Sequence, residues 1–322
     1  MVIDFQHHLI PMELAKRRGI YSDKVVFRKE GEVPKLTMHS KLCDPEAQIR
    51  DMDEAGLDVA VLSCIIGWDA PLEDCRFIND EFAKLQGQYP GRFVGLAHAP
   101  ILEGKEAINE LDRAIRELGL RGVTITSQIH GVSLDSPQLY DFYAKVSELD
   151  VPIFVHPAML PQGYQLVLDY DLARILGREI DLAVAATRII AGGILERFPN
   201  LKFVIGHFGG GISAVKDRLV AKGYRFGTLK RPFEESFDKL YFDLAGFEGG
   251  LTALRCALLG IRPERLVFAT DYPQDFTGVS TATGKGVGAI RDYIAAVRSL
   301  DFKDEIKEGI LGGTAAQLLR LR

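Results

Sequence analysis

The apolar residues of this chain follow two alternating patterns. Short runs rich in Val, Ile, Leu and Phe predict buried β-strands, and the amphipathic stretches between them predict helices. The predicted strands are residues 2–8, 59–64, 93–98, 122–126, 151–156, 203–207, 240–244 and 266–271, and the predicted helices are residues 45–55, 79–88, 106–118, 138–149, 183–198, 211–223, 251–259 and 288–299. Because strands that alternate with helices need crossover connections, we expect them to pair in parallel.

Eight such units predict an α/β fold, a (β/α)8 TIM barrel that spans residues 1–322 as a single domain. The alternative is an open doubly wound sheet, but no GxGxxG follows the first strand and no GxxxxGK[ST] occurs. Three connections are longer than a barrel requires: residues 12–44, which contain a small hairpin insertion, residues 157–182 and residues 272–285. They follow the first, fifth and eighth strands, so we expect extended loops over the face where barrel active sites lie.

Composition excludes several classes of partner. With 322 residues and a formal net charge of −5, the chain offers no basic surface for nucleic acid or an anionic membrane. Its four cysteines form no CxxC pair, which predicts reduced thiols in a cytoplasmic protein. We expect neither a signal peptide nor a membrane span, since no basic region precedes an apolar run and no apolar stretch is long enough.

Polar residues are concentrated where the predicted strands end. These residues are His8, His98, His156, His207 and Asp271. Imidazoles and a carboxylate that converge at one end of a barrel can form a metal site. Taken singly, each histidine is also compatible with a hydrogen-bonded core residue, and Asp271 with a cap of the following loop.

The first strand, IDFQHH, carries two of the candidate residues in alternating register. Side chains two positions apart share a face of a strand, so Gln6 and His8 are predicted to face the barrel mouth. By the same alternation, His7 is expected to point toward the helical layer together with Phe5 and Leu9.

At these positions the sequence resembles the second amidohydrolase family. This group includes aminocarboxymuconate-semialdehyde decarboxylase and the γ-resorcylate and 5-carboxyvanillate decarboxylases. The resemblance extends over nearly the whole chain and rests on IDFQHHLIP, RDMDEAGLDVAVLS, FVHPA, GGILERFPNLKFVIGHFGGG and LVFATDYP. It implies a (β/α)8 barrel, in agreement with the strand count.

The resemblance also implies roles for individual residues. His8, His156 and Asp271 match metal ligands of the family, and Asp271 also matches the residue that shuttles protons. His207 matches a catalytic or substrate-orienting histidine. The implied metal is divalent, with zinc favoured and manganese as the alternative.

Three further residues are candidates for substrate binding. Arg50 matches an arginine that some of these decarboxylases use to bind the substrate carboxylate, although a solvated helix residue is an equal alternative. Trp68 lies after the second strand and is able either to stack on an aromatic substrate or to pack on the barrel rim. His98 either contacts the substrate or packs beneath a helix.

Gln6 departs from the family pattern, which has histidine or glutamate at this position. A neutral amide is a weaker ligand than imidazole or carboxylate. Three outcomes stay open: the Gln6 oxygen binds metal, the metal is held without it, or metal binding is weak or absent.

The leading hypothesis for function is therefore metal-dependent, non-oxidative decarboxylation of a small aromatic or unsaturated carboxylic acid. The same residues also serve hydrolysis of a lactone, amide or ester, or hydration of a conjugated acid. A metal-free barrel that acts as a binding or scaffold protein is the non-enzymatic alternative. From the resemblance we expect a homodimer or a higher homo-oligomer.

Overall fold

Eight parallel strands form the central sheet of the computed structural model, which describes residues 1–31, 33–227, 229–246, 251–274 and 286–321. The strands are β1 (Ile3–His8), β2 (Val59–Ser63), β3 (Phe93–Ala97), β4 (Gly122–Thr126), β5 (Pro152–His156), β6 (Lys202–Ile205), β7 (Tyr241–Asp243) and β8 (Leu266–Val267). Each strand pairs with its neighbour in chain order, from Ile3 opposite Val59 in the first pair to Asp243 opposite Val267 in the last.

Hydrogen bonds between the first and last strands nearly close the sheet. The amide of Phe5 donates to the carbonyl of Phe268 at 2.9 Å, and the amide of His8 donates to the carbonyl of Tyr272 at 2.8 Å. The architecture is a (β/α)8 TIM barrel, so this prediction is confirmed. In this fold the carboxyl ends of all eight strands meet at one mouth.

Helices follow the strands and cover the outside of the barrel. They are α1 (Met12–Arg17), α2 (Pro45–Ala55), α3 (Leu72–Gln88), α4 (Lys105–Arg116), α5 (Tyr140–Leu149), α6 (Arg178–Ala191), α7 (Ile194–Arg197), α8 (Lys216–Lys222), α9 (Phe233–Phe237), α10 (Thr252–Gly260), α11 (Gly288–Arg298), α12 (Asp304–Glu308) and α13 (Thr314–Leu319). In the described part of the chain, no helix is long and apolar enough to cross a membrane.

The core has two layers, as expected for strands buried on both faces. Inside the barrel, Ile3, Phe5, Val61 and Phe154 pack together with Leu318 of α13. A larger apolar layer separates the strands from the surrounding helices. The barrel is therefore a packed core, and any reactive group must lie at its rim.

The predicted strict alternation of β1 is wrong at Phe5. The pairing of β1 with β2 shifts register between Asp4 and His7, as in a β-bulge. Phe5 consequently packs inside the barrel against Phe154, with ring centroids 5.9 Å apart, rather than on the helical side. Bulges redirect side chains beside active sites, and past this one Gln6 and His8 both contact Asp271, as their shared face predicts.

The loops after β1 and β5 carry their own structure. An antiparallel hairpin, Val26–Glu30 with Val33–Met38, lies in the loop after β1. A π-helical turn, Ala173–Gly177, leads directly into α6, so this helix begins at Arg178 rather than at the predicted residue 183. Of the predicted loop after β8, residues 275–285 lie outside the described residues.

Candidate metal centre and active site

Three side chains from different strand ends come together at the mouth of the barrel. His8 ends β1, His156 ends β5, and Asp271 lies just beyond β8. Nε2 of His8 is 2.7 Å from Oδ1 of Asp271, and Nε2 of His156 is 3.9 Å from the same oxygen. The ligand atoms of all three residues lie within 4.8 Å of one another, so the group is able to hold a metal ion.

Hydrogen bonds at the far ring nitrogen orient both histidines. Nδ1 of His8 lies 2.9 Å from the hydroxyl of Ser63, and Nδ1 of His156 lies 2.7 Å from the carbonyl oxygen of Pro157. Because a carbonyl only accepts, Nδ1 of His156 carries the proton and Nε2 presents its lone pair to the cluster. Burial lowers the pKa of His156 to about 3, against the opposing effect of Asp271, so the ring is neutral at pH 7.

The backbone that carries Asp271 is fixed from β1. Asp4 accepts hydrogen bonds from the amide of Thr270 at 2.9 Å and from its hydroxyl at 2.6 Å. Asp271 follows with a φ of +59°, a conformation that is strained for a residue other than glycine. Burial acts to raise the pKa of Asp271, but His156 and His8 hold it well below its ordinary value, which keeps the carboxylate ionised.

Gln6 reaches into the same cluster. Its Nε2 donates to Oδ1 of Asp271 at 2.7 Å and lies 3.1 Å from Nε2 of His207. Its Oε1 is buried and has no hydrogen-bond partner among the described residues. Rotation of the amide by 180° exchanges the two atoms and places Oε1 beside Oδ1 of Asp271, the oxygen that His8 and His156 also face, as a metal ligand requires. The orphaned oxygen, two imidazoles and a carboxylate together fit a divalent metal.

His207 lies beyond the end of β6, not on the strand as predicted. It has a φ of +50°, and its amide donates to Asp243 at 2.7 Å. Its Nε2 is 4.0 Å from Oδ2 of Asp271, whereas its Nδ1 lies 2.7 Å from Oε1 of Glu179. Burial acts to lower the pKa of His207, but Glu179, Asp271 and Asp243 raise it to about 10. The ring is therefore an imidazolium at neutral pH.

Glu179 reaches His207 because α6 packs directly on the turn after β6. A Cβ atom at Gly210 would collide with the carbonyl of Glu179, and Gly210 has a φ of +62°. Only glycine satisfies both conditions without displacing α6. Gly210 of GHFGGG thus allows the close packing that positions the carboxylate of Glu179 against His207.

Trp68 lies between the cluster of candidate metal ligands and two cavities. Its ring stacks on His156 with centroids 4.2 Å apart, and its Nε1 donates to the hydroxyl of Thr124 at 3.0 Å. One cavity, of about 250 Å³, is lined by Trp68, His98 and neighbouring residues. The other, of about 280 Å³, is lined by Trp68, Lys35 and others. An aromatic wall beside the cluster suits a flat substrate.

His98 lines the smaller cavity, but the main chain occupies both of its ring nitrogens. Nε2 accepts from the amide of Cys64 at 3.0 Å, and Nδ1 lies 3.1 Å from the carbonyl oxygen of Leu96. Burial lowers its pKa to about 4. The substrate-binding role of His98 stays a prediction, and these bonds restrict it to contacts through ring carbons.

A basic residue other than the predicted one interacts electrostatically with the cluster. Arg50 is exposed on α2 and makes no hydrogen bond or ion pair within the described part of the chain, so its role stays a prediction. Arg178, which the sequence analysis missed, begins α6 and donates to the carbonyls of Met159 and Lys35. Burial lowers its pKa to about 10, opposed by Asp271, so it is a cation at neutral pH.

Comparison with known proteins agrees with this arrangement. A family profile described as Amidohydrolase matches residues 3–321. The chain belongs to the amidohydrolase family. A relative from Dictyostelium discoideum, 2-amino-3-carboxymuconate-6-semialdehyde decarboxylase, is 28% identical over 88% of this chain and 78% of its own length. The γ-resorcylate decarboxylase of Polaromonas sp. strain JS666 is 28% identical over 78% of this chain and 83% of its own length.

Solved structures share the same fold. The 5-carboxyvanillate decarboxylase of Sphingomonas paucimobilis superposes with a TM-score of 0.82 at 22% identity and covers 100% of this chain and 99% of its own. The dihydroxybenzoic acid decarboxylase of Polaromonas sp. JS666, solved with manganese and 2-nitroresorcinol, superposes with a TM-score of 0.76 at 24% identity, over 99% and 97% of the two chains. The predicted family is confirmed.

Among the predicted site residues, the structure brings together Gln6, His8, His156, His207 and Asp271, and it places Trp68 against them. The sequence analysis did not single out Ser63, Arg178 or Glu179. Arg178 and Glu179 lie in the long predicted loop after the fifth strand, and that position is the one feature of the sequence that indicates a place near the site.

Proposed function

We propose that this amidohydrolase is a metal-dependent, non-oxidative decarboxylase of small aromatic or unsaturated carboxylic acids. The observation that carries the proposal is the convergence of His8, His156 and Asp271 at the barrel mouth, with His207 beside them. The two decarboxylase relatives and the decarboxylases among the solved structures support the same chemistry.

In this proposal Nε2 of His8, Nε2 of His156, Asp271 and Oε1 of Gln6 hold a divalent metal. Two imidazoles favour zinc, and the relative solved with manganese makes that ion the second candidate. When bound, the metal supplies Lewis acidity and a template for the substrate carboxylate. Ser63 and the Pro157 carbonyl keep both imidazoles oriented toward it.

Asp271 acts as the proton carrier in the proposed mechanism. Its ionised carboxylate takes up one proton from solvent hydronium and delivers it to the ring or alkene carbon that bears the substrate carboxylate, so each turnover consumes one solvent proton. The bond from that carbon to the carboxylate then breaks, and its electron pair returns to the conjugated system as CO2 leaves. Proton transfer of this kind typically contributes about 10² to 10⁴ in rate.

His207 orients the substrate and stabilises its negative charge. Its Nδ1 is held by Glu179, so its Nε2–H faces the cluster as a fixed donor. A preorganised cationic donor stabilises an oxygen on which charge develops and requires no reorganisation during the reaction. Glu179 acts through His207 and is a positioning residue.

Hydration of an unsaturated acid is the second candidate function. A hydratase of 2-keto-4-carboxy-3-hexenedioate from Sphingobium sp. is 24% identical over 99% of this chain and 96% of its own length. Hydration needs the same proton carrier but retains every carboxylate. The amount of CO2 released therefore separates the two reactions.

We also propose that the protein is a cytoplasmic homodimer. Buried free thiols at Cys43, Cys64 and Cys75 support a reducing compartment. Large apolar side chains cluster on the exposed side of the loop after β5 and on α6, and this supports a protein contact there. They are Leu166, Leu168, Tyr170, Ile175, Leu176, Ile180 and Val184. Sedimentation at several concentrations tests the proposed dimer.

The decisive experiment measures CO2 release from 2,6-dihydroxybenzoate, 5-carboxyvanillate and unsaturated diacids by protein loaded with zinc or manganese. We expect metal-dependent release, reduced at least about 100-fold in Asp271→Asn. Asp135→Asn is the matched control, because Asp135 pairs with Arg188 at the surface. Product that gains water without losing CO2 supports hydration. Unchanged CO2 release in Asp271→Asn contradicts the proposed proton carrier.

A further inference from the structure

Arg178 is a cation at the barrel mouth that pairs with no carboxylate among the described residues. Its Nε and Nη2 groups donate to the carbonyl of Met159 at 3.1 and 2.8 Å, and Nη2 also donates to the carbonyl of Lys35 at 2.9 Å. Neighbouring Arg174, by contrast, forms an ion pair with Asp171. Buried cations are ordinarily paired, so the environment of Arg178 lacks an anion.

The free end of the guanidinium is its Nη1 group. In the described part of the chain, no acceptor forms a hydrogen bond with Nη1, and Nη1 is not among the buried atoms that lack a partner. Its N–H groups are thus open to a ligand. A guanidinium edge of this kind binds a carboxylate oxygen through charge-assisted hydrogen bonds.

The anion that acts most strongly on Arg178 is Asp271, but that carboxylate is already engaged. Its Oδ1 accepts from Gln6 and contacts His8, both at 2.7 Å. Asp271 therefore acts on the pKa of Arg178 through its charge but forms no ion pair with it. A ligand at the cluster lies within the electrostatic reach of both groups.

Residues that hold this guanidinium line the space beside the cluster. Met159 and Lys35, whose carbonyls hold it, both line the cavity of about 280 Å³ next to Trp68. Trp68 in turn stacks on His156. A substrate that spans the cluster and this cavity has one end near the metal ligands and another near the two residues that hold Arg178.

The chemistry decides which carboxylate Arg178 binds. In the proposed mechanism the departing carboxylate already lies at the metal ligands, beside the proton carrier Asp271. A further cation on that group would stabilise the substrate more than the transition state, because the group leaves as neutral CO2. A cation on a group that the product keeps stabilises the substrate and the transition state equally. The productive partner of Arg178 is therefore an anion that survives the reaction.

We infer that Arg178 binds a second carboxylate, one that the product retains, and that the preferred substrates are small unsaturated or aromatic dicarboxylates. This inference rests on the proposed function for its assignment of the departing carboxylate. It predicts that substrate and product lose equal affinity when Arg178 is removed.

Calorimetric binding to the zinc-loaded protein tests this inference with four probes: 5-carboxyvanillate, its decarboxylation product vanillate, 2,6-dihydroxybenzoate and its product resorcinol. Arg178→Met is expected to weaken the binding of vanillate and of 5-carboxyvanillate by about 10- to 100-fold, which is the effect of losing one charged hydrogen bond. Resorcinol, which has no carboxylate, should change by less than about twofold. Arg178→Lys should restore part of the loss, and KM for 5-carboxyvanillate should rise with kcat little changed.

Arg188→Met is the matched control, since Arg188 lies on the same helix and pairs with Asp135. If Arg178→Met weakens the binding of vanillate and of resorcinol equally, Arg178 has a structural role and the inference is overturned. Wild-type protein that binds neither vanillate nor 5-carboxyvanillate overturns it as well. CO2 release with unchanged binding in Arg178→Met also removes this inference and leaves the decarboxylase proposal standing. If vanillate binds through Arg178 but no acid releases CO2, the inference about Arg178 stands and the decarboxylase proposal is contradicted.

Discussion

Replacement of Gln6 by glutamate tests the metal centre most directly, because its effect should change sign with metal. In the metal-free protein the new carboxylate would lie where Nε2 of Gln6 now donates to Oδ1 of Asp271 at 2.7 Å. Two unit charges at that separation repel by about 6 kcal/mol at an effective dielectric constant of about 20. The new carboxyl group avoids most of this repulsion by taking up a proton.

The remaining cost in the metal-free protein is that of an imperfectly paired buried group, about 1 to 3 kcal/mol. For a chain of 322 residues, that lowers Tm by about 1.5 °C per kcal/mol. With metal bound, the carboxylate adds a second negative ligand beside Asp271. We expect metal affinity to rise at least about tenfold, which adds about 1.4 kcal/mol of stability at a fixed excess of metal.

Calorimetric Tm values of wild type, Gln6→Glu and Gln128→Glu, each with chelator and with excess zinc, measure this reversal. Gln128 donates to Oδ1 of Asp181 at 2.8 Å, so it offers the same amide–carboxylate pair away from the cluster. Gln128→Glu should be destabilised equally in both conditions. If zinc raises the Tm of Gln6→Glu no more than that of wild type, Gln6 does not face the metal and its assignment as a ligand is wrong.

Three further outcomes are expected. Glu179→Gln removes the group that most strongly raises the pKa of His207 to about 10, so the high-pH limb of the kcat profile should move to lower pH. That pKa exceeds the ordinary 6.5, so the pair's contribution to stability, measured by urea unfolding, should be complete below about pH 6.5 and lost as pH rises toward 10. Ser63→Ala frees Nδ1 of His8 and should cost about 10- to 100-fold in metal affinity, measured by chelator competition. Asp4→Ala leaves two buried donors of the segment before Asp271 unpaired and should cost about 2 kcal/mol or more of unfolding free energy.

The barrel and most of the cluster were predictable because they follow from short-range patterns. Apolar runs gave the eight strands, and parallel pairing brings their carboxyl ends to one mouth. His8 and His156 end their strands in the structure as the runs imply. Composition, periodicity and motif resemblance therefore agree on which end of the barrel carries the chemistry.

Backbone departures from regular geometry were not predictable from the same patterns. The bulge in β1 moves Phe5 to the inside of the barrel, and no residue type in IDFQHH marks it. His207 and Asp271 both adopt positive φ just past their strands, which hydrophobic periodicity does not register. The direction in which a side chain points at a strand end depends on such local strain, so only the structure assigns it.

The charges at the cluster connect Gln6 with Arg178. Imidazole and amide side chains carry no negative charge, so Asp271 is the one anion among His8, His156, Gln6 and Asp271. A glutamate at position 6 would give a second anion and offset one charge of a divalent metal. With glutamine at position 6, one positive charge of a bound divalent metal would stay uncompensated, as does the cation of Arg178. An anionic ligand can neutralise both charges. A substrate with two carboxylates supplies one to each, so the departure at Gln6 and the unpaired Arg178 favour the same class of acid.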